Sequence, residues 1–366
     1  FRGDDRGAKL YGIFLAITYL WALYEAGLDA WALMPRVAMF TVLGLWFVIP
    51  RVRRGLQQAE PLPLLDQLPA KMVLSASTIL AIALLLTSGS YDVGTPSAAG
   101  TGQANNPSGE WRNYGSSKTG TRFAAADQIN VDNVAQLEKA WEIRTGVPGE
   151  FKGTPIQVGD GLYLCTGQNI ILSLDPDTGE ERWRFDPDLQ SPKIGFWDTC
   201  RGVTYYDVPD SNPSADCAER IFTATTDARL IAVDKETGRP CSDFGVNGEI
   251  SLLAGMGEVI PGFYFVTSPP TISNDVLVLG GWVLDNQMTE EPSGVVRGFN
   301  PLTGELVWAW DMGREDRSGL PPEGDNYTRG TPNVWSLTSA DEELGLIYVP
   351  TGNGTPDYFG GHRSEA

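Results

Sequence analysis

Three segments of this 366-residue chain repeat one short pattern, and that repetition restricts the fold more than any other feature. Ile171–Arg184, Leu230–Ser242 and Val296–Ala309 each run through a branched, apolar stretch into Asp175, Asp234 or Asn300, then two residues, then Thr-Gly and a returning stretch. In the first and third copies a tryptophan, Trp183 or Trp308, stands four residues after the glycine. Glycine supplies the positive φ of a tight hairpin turn, and Asp, Asn and Thr side chains hydrogen-bond the turn backbone. Copies about 60 residues apart form an internal repeat, and a repeat of several strands per unit predicts a β-propeller. The interval is long for one blade, so long loops between strands are predicted as well. Leu162–Cys165, Arg220–Ala224, Val276–Leu279 and Gly345–Val349 are further short branched runs bounded by turn residues, the signature of strands.

The first 90 residues read differently. Leu10–Leu23 is almost unbroken apolar sequence and continues past Glu25 toward residue 33, while shorter runs occupy 36–50 and 70–88. A bilayer-crossing helix needs ~20 apolar residues. Runs of this length also form buried helices in water, but three in succession predict three membrane spans and a helical anchor over 1–90. Arg2, Arg6 and Lys9 precede the first run, and Arg51, Arg53, Arg54 and Lys71 separate the second from the third. Positive residues stay on the cytoplasmic side, so everything after Ser90 is predicted to be delivered across the membrane, in a bacterium to the periplasm. Residues 91–109, rich in Gly, Ser, Pro and Asn, read as a flexible linker. The chain opens Phe1-Arg2-Gly3 and has no signal-peptide pattern ahead of the first run, so it is expected to be a piece of a longer polypeptide.

Charge and composition remove several functions. Of 27 basic and 46 acidic residues, eight and six fall within the first 90, leaving 19 against 40 after it. Nucleic-acid binding, which needs a basic face to displace counterions, is excluded as an expectation. The single histidine, His362, rules out zinc sites built on several histidines. All four cysteines, Cys165, Cys200, Cys217 and Cys241, follow the apolar runs, with no Cys-x-x-Cys among them. One or two structural disulfides are expected in that compartment; three connectivities remain open.

The Asp/Asn-x-x-Thr-Gly-x-x-x-Trp repeat, the opening segment Trp111–Ala124, the block Gly330–Leu337 and the segment Thr199–Asp207 together resemble the membrane-bound glucose/quinate/shikimate dehydrogenases that use pyrroloquinoline quinone (PQQ). The resemblance runs from about Leu10 to the last residue. It implies N-terminal transmembrane helices, two more of them upstream, followed by an all-β domain: residues 110–366 as the first part of an eight-bladed quinoprotein β-propeller. It further implies that Trp335, in a Pro-Asn-x-Trp block, is the indole on which the flat cofactor stacks, a task suited to the largest aromatic face. By the same likeness Asp285, Asn286 and Thr355 hold a divalent cation, and oxygen donors suit calcium or magnesium. Arg201 matches a position near the cofactor, where a guanidinium pairs with carboxylates.

Two departures bear on the substrate. Glucose-oxidising members carry a glutamate two residues before the Thr-Pro matching Thr154-Pro155, and a histidine three before the Cys-Arg matching Cys200-Arg201; here these are Lys152 and Trp197. A cation in place of an acid favours a carboxylate-bearing polyol, which points to quinate or shikimate over glucose. Electrons are then expected to pass to ubiquinone in the membrane. The same resemblance implies a catalytic base in later blades, so this piece alone is expected to be inactive. Glucose oxidation, a non-catalytic propeller platform and a membrane-anchored small-molecule receptor stand as the alternatives.

Overall fold

The computed structural model describes residues 5–26, 40–41, 43–44, 109–124, 126–189, 199–314 and 316–357. The third expected span, most of the second, nearly all of the linker, Trp197 and His362 therefore lie outside the described residues. The chain divides into two units, residues 1–102 and 103–366.

In the first unit, helix α1 covers Asp5–Ala26. Leu15, Tyr19 and Ala22 recur at helical spacing and are buried, with Phe40 packed against them. The Tyr19 hydroxyl shares a hydrogen bond with Thr41 Oγ1. Phe14, Ile17, Leu20, Trp21 and Tyr24 are exposed on the rest of the surface. No helix among the described residues is long and apolar enough to cross a membrane. Charged Asp5, Arg6, Lys9 and Glu25 lie inside the bounds of α1 and shorten its apolar stretch.

The second unit is built from antiparallel four-stranded sheets laid down in chain order. Strands β1 Ile156–Val158, β2 Gly161–Cys165, β3 Ile171–Leu174 and β4 Glu181–Phe185 form the first. Strands β5 Thr204–Asp207, β6 Glu219–Ala224, β7 Arg229–Asp234 and β8 Glu249–Ser251 form the second. A short pair follows, β9 Tyr264–Phe265 with β12 Trp282–Val283. It brackets the first half of the third sheet, whose β10 Thr271–Ser273 and β11 Val276–Leu279 precede the β12 excursion, and whose β13 Val296–Phe299 and β14 Leu306–Trp310 follow it. Hairpin β15 Ser339–Asp341 and β16 Leu346–Tyr348 comes last. The repeat seen in the sequence is thus the outer hairpin of the first and third sheets and the turn after β7 in the second, and the long interval is spent on loops such as 280–295.

The turn chemistry explains the repeat. Asp175 Oδ1 accepts hydrogen bonds from the amides of Asp177 (3.0 Å) and Thr178 (2.9 Å) and from the Thr178 hydroxyl. Gly179, Gly238 and Gly304 have φ of +73°, +68° and +76°. The glycines also make room. Trp183, on the last strand of the first sheet, lies on the turn of the second, where a Cβ on Gly238 would come within 2.5 Å of its ring. Its indole N–H donates to the Lys235 carbonyl at 3.0 Å. Trp141 makes the same pair of contacts on Gly179 and the Pro176 carbonyl. Where the second repeat has Ser242 instead of tryptophan, Ile250 from β8 covers Gly304.

Consecutive sheets pack face to face. Ile156, Ile171, Val203, Ile221, Ile231 and Val233 fill the first interface, and Phe222, Leu230, Phe244, Leu252, Leu277 and Phe299 the second. Burial of this kind stabilises by ~25 cal/mol per Å² of apolar surface. The first strands β5, β10 and β15 are neighbours, as the inner strands of successive propeller blades are. Disulfides Cys165–Cys200 and Cys217–Cys241 select one of the three open connectivities; the first joins the first sheet to the segment leading into the second.

Candidate functional site

Because the inner strands stand side by side, the residues just ahead of each one gather at one end of the sheets. Lys152–Thr154 precede β1, Arg201 precedes β5, Thr267 and Ser268 precede β10, and Trp335 precedes β15. Their backbones are joined in series. The Thr154 amide donates to the Arg201 carbonyl and the Arg201 amide to the Thr267 carbonyl, both at 2.8 Å. The Ser268 hydroxyl donates to the Trp335 carbonyl at 2.7 Å.

Arg201 and Trp335, singled out separately in the sequence, are brought together there. The guanidinium lies 5.4 Å from the centre of the Trp335 ring and 5.7 Å from that of Trp282. It donates to the Thr267 and Ser268 hydroxyls and to the Trp335 carbonyl. Burial pulls its pKa below the ordinary guanidinium value. Among the described residues no carboxylate forms an ion pair with Arg201, so its positive charge is held by hydroxyls, a carbonyl and ring faces. Such a site is prepared to receive an anionic group beside an aromatic surface.

Sequence reading missed Trp282. Its ring stacks on Phe265 at 5.3 Å and 26°, and meets Trp335 at 5.3 Å and 31°. The result is a three-ring ladder ending in Trp335, whose surface remains 41% exposed. The one available signal was an alternation, Trp282 outward and buried Val283 inward, too short to separate from an ordinary strand.

The expected cation ligands lie on two loops stitched together by the block that carries Trp335. Asn333 donates through Nδ2 to the Val283 carbonyl at 3.3 Å, and its own carbonyl accepts from the Gly352 amide at 2.8 Å. The Gly330 amide donates to the Glu291 carbonyl, and the Gly330 carbonyl accepts from the Thr355 amide. Asn286, at φ +64°, donates its side-chain amide to Asp285 Oδ1 at 2.7 Å. Burial raises the Asp285 pKa, and the charges of Asp357 and Glu291 raise it further. The side chains of Thr355 and Glu291 are 4% and 0% exposed, yet Thr355 Oγ1 and Glu291 Oε2 have no hydrogen-bond partner. Crowded carboxylates with orphaned buried oxygens are the donor set a hard divalent cation requires. The residues fit the group that the resemblance implied.

Lys152 sits two residues from Thr154, whose amide donates to the Arg201 carbonyl, but its ammonium pairs with Glu150 and is 42% exposed.

The sequence pattern defining the PQQ glucose/ethanol/alcohol dehydrogenase β-propeller domain matches residues 111–366. Quinoprotein glucose dehydrogenase A of Acinetobacter calcoaceticus is 37% identical over 97% of this chain and 47% of its own length. Quinate/shikimate dehydrogenase (quinone) of Acinetobacter baylyi is 33% identical over the whole of this chain and 48% of its own. The chain spans about half the length of these relatives. Among solved structures, a quinohemoprotein alcohol dehydrogenase from Pseudomonas putida superposes with a TM-score of 0.54 at 23% identity, over 69% of this chain and 36% of that one, a likeness of fold.

Proposed function

The chain belongs to the PQQ-dependent glucose/ethanol/alcohol dehydrogenase β-propeller family, and from that premise we propose that the complete protein is a membrane-anchored polyol dehydrogenase, with quinate or shikimate as substrate and ubiquinone as electron acceptor. The observation that carries this reading is the half-buried Arg201, without a carboxylate partner among the described residues, resting over the Trp282 and Trp335 rings beside the Asp285–Thr355 loops. When bound, PQQ would supply two-electron redox chemistry for oxidation of an alcohol.

The chain's own residues do the holding. Trp335 offers the flat face, fixed from behind by Trp282 and Phe265. Arg201 takes an acidic group in place of the water it loses on burial, its guanidinium oriented by Thr267 and Ser268. Asp285, Asn286 and Thr355 would hold calcium or magnesium, which would supply Lewis-acid polarisation. No catalytic base is assigned to these residues.

Support for a carboxylate-bearing substrate is the cation at Lys152, whose exposed ammonium can exchange Glu150 for a substrate carboxylate. A second reading, glucose, draws on identities of 37%, 38% and 34% to three glucose dehydrogenases, a range that overlaps the 33% and 35% to two quinate enzymes. The eight-bladed closure and the periplasmic placement of the propeller belong to the proposal as well. The anchor is supported by the exposed apolar side chains of α1, which demand a non-aqueous neighbour.

Full-length protein loaded with calcium and PQQ is assayed by dye reduction with quinate, shikimate, glucose and simple polyols. Preference for quinate, lost in Lys152→Glu, supports the assignment; preference for glucose, or indifference to the substitution, overturns it. No reduction with any alcohol favours a binding platform.

A further inference from the structure

Glu291 was not singled out by its sequence, and nothing about the fold requires a carboxylate there. It is nevertheless wholly buried, which is costly for a charge unless something compensates it. One oxygen is accounted for: Oε1 accepts the amides of Gln287 at 2.6 Å and Met288 at 3.0 Å. Those amides follow directly on Asp285 and Asn286, so the carboxylate clamps the bend in which that pair sits. The other oxygen, Oε2, meets no donor.

The surroundings indicate what is missing. The Glu291 backbone is bonded to Gly330 and Gly330 to Thr355, so one residue links both ligand loops. A Cβ on Gly330, whose φ is +71°, would stand 3.0 Å from the Thr289 carbonyl and 3.2 Å from Thr355 Oγ1, which leaves no room for a side chain between the loops. Thr355 Oγ1 is itself buried and unpartnered. Two orphaned oxygens therefore occur on the two sides of the seam where Asp285 lies near both Asp357 and Glu291. The oxygens of Asp285, Glu291 and Asp357 do not all converge within 4.8 Å of one another, so Glu291 is not simply a third carboxylate in one shared shell.

We propose that Glu291 is a positioning residue of the cation site: Oε1 fixes the Asp285–Asn286 bend, and the free Oε2 supplies negative charge toward the ion or its bound water. The inference rests on the cation site described above. It extends that site beyond Asp285, Asn286 and Thr355.

The test is calorimetric titration of full-length protein, stripped with a chelator and free of PQQ, with calcium chloride and then magnesium chloride. Glu291→Gln keeps an oxygen for the two amides but removes the charge. At least a tenfold weaker calcium affinity, with the metal-free melting temperature unchanged or higher, supports the proposal. Unchanged affinity overturns it, because a purely structural clamp survives the substitution. If wild-type protein binds neither ion, the cation site itself is refuted along with Glu291. Should the variant fail to fold, wild-type protein carrying ¹³C-carboxyl glutamate answers by infrared difference spectroscopy: a glutamate carboxylate stretch that moves on adding calcium supports the assignment, and a spectrum without one overturns it.

Discussion

Replacing Trp282 by alanine removes the middle rung of the ladder that ends in Trp335. Two ring pairs are lost, Phe265–Trp282 and Trp282–Trp335, each at 5.3 Å. Such pairs contribute ~0.5–1.5 kcal/mol apiece. The Arg201 guanidinium also loses one of the two ring faces beneath it, worth ~0.5–2 kcal/mol depending on desolvation. The combined loss is ~1.5–5 kcal/mol. With about half of that spent on holding Trp335 and Arg201 in the binding geometry, cofactor affinity falls roughly 3–60-fold, at ~1.4 kcal/mol per tenfold. Equilibrium dialysis of full-length protein against PQQ in excess calcium measures this directly, beside a melting curve that reports the structural share. Trp282→Phe restores a ring face and should recover most of the affinity. A Trp282→Ala protein that stays folded and binds PQQ within about twofold of wild type would show that Trp335 needs no support from behind, and the pre-organisation argument would be wrong.

Gly238→Val adds a side chain where φ is +68° and the Trp183 ring stands 2.5 Å from the new Cβ; the combined strain and overpacking predict a loss of ~2–5 kcal/mol in urea unfolding, and undiminished stability would refute the docking role of Trp183. Replacing the cysteines of the Cys165–Cys200 and Cys217–Cys241 bridges, which span 35 and 24 residues, with serine frees the unfolded chain; chain entropy predicts losses of ~4 and ~3 kcal/mol, read from denaturation midpoints. The Asp175 carboxyl is held at about 2 by the Arg182 guanidinium and by the turn amides, below its ordinary value. A depressed carboxylate stabilises the fold fully above its unfolded pKa and loses that contribution as pH falls through about 2. Asp175→Asn should therefore flatten the acid limb of the stability curve over that window, and an unaltered limb counts against the turn's electrostatic role.

The sequence by itself determined the units and their order. Asp-x-x-Thr-Gly specifies its hairpin locally, because the bonds and the positive φ all lie within a few residues; three copies therefore disclosed three sheets. The same locality made Trp183 and Trp308 legible as structural residues, and the cysteine count limited the disulfides to three pairings without choosing among them. Arg201 and Trp335 were found by motif, one position at a time. Tertiary structure alone decided that they meet, because residues 134 apart become neighbours only when successive inner strands align. It also supplied what carries no local mark: Trp282 as the rung between two rings, and Glu291 as a buried carboxylate bridging two loops. Burial and orphaned oxygens are properties of a packed interior, and a linear pattern with periods of two or four residues holds no record of which distant backbone will lie against it.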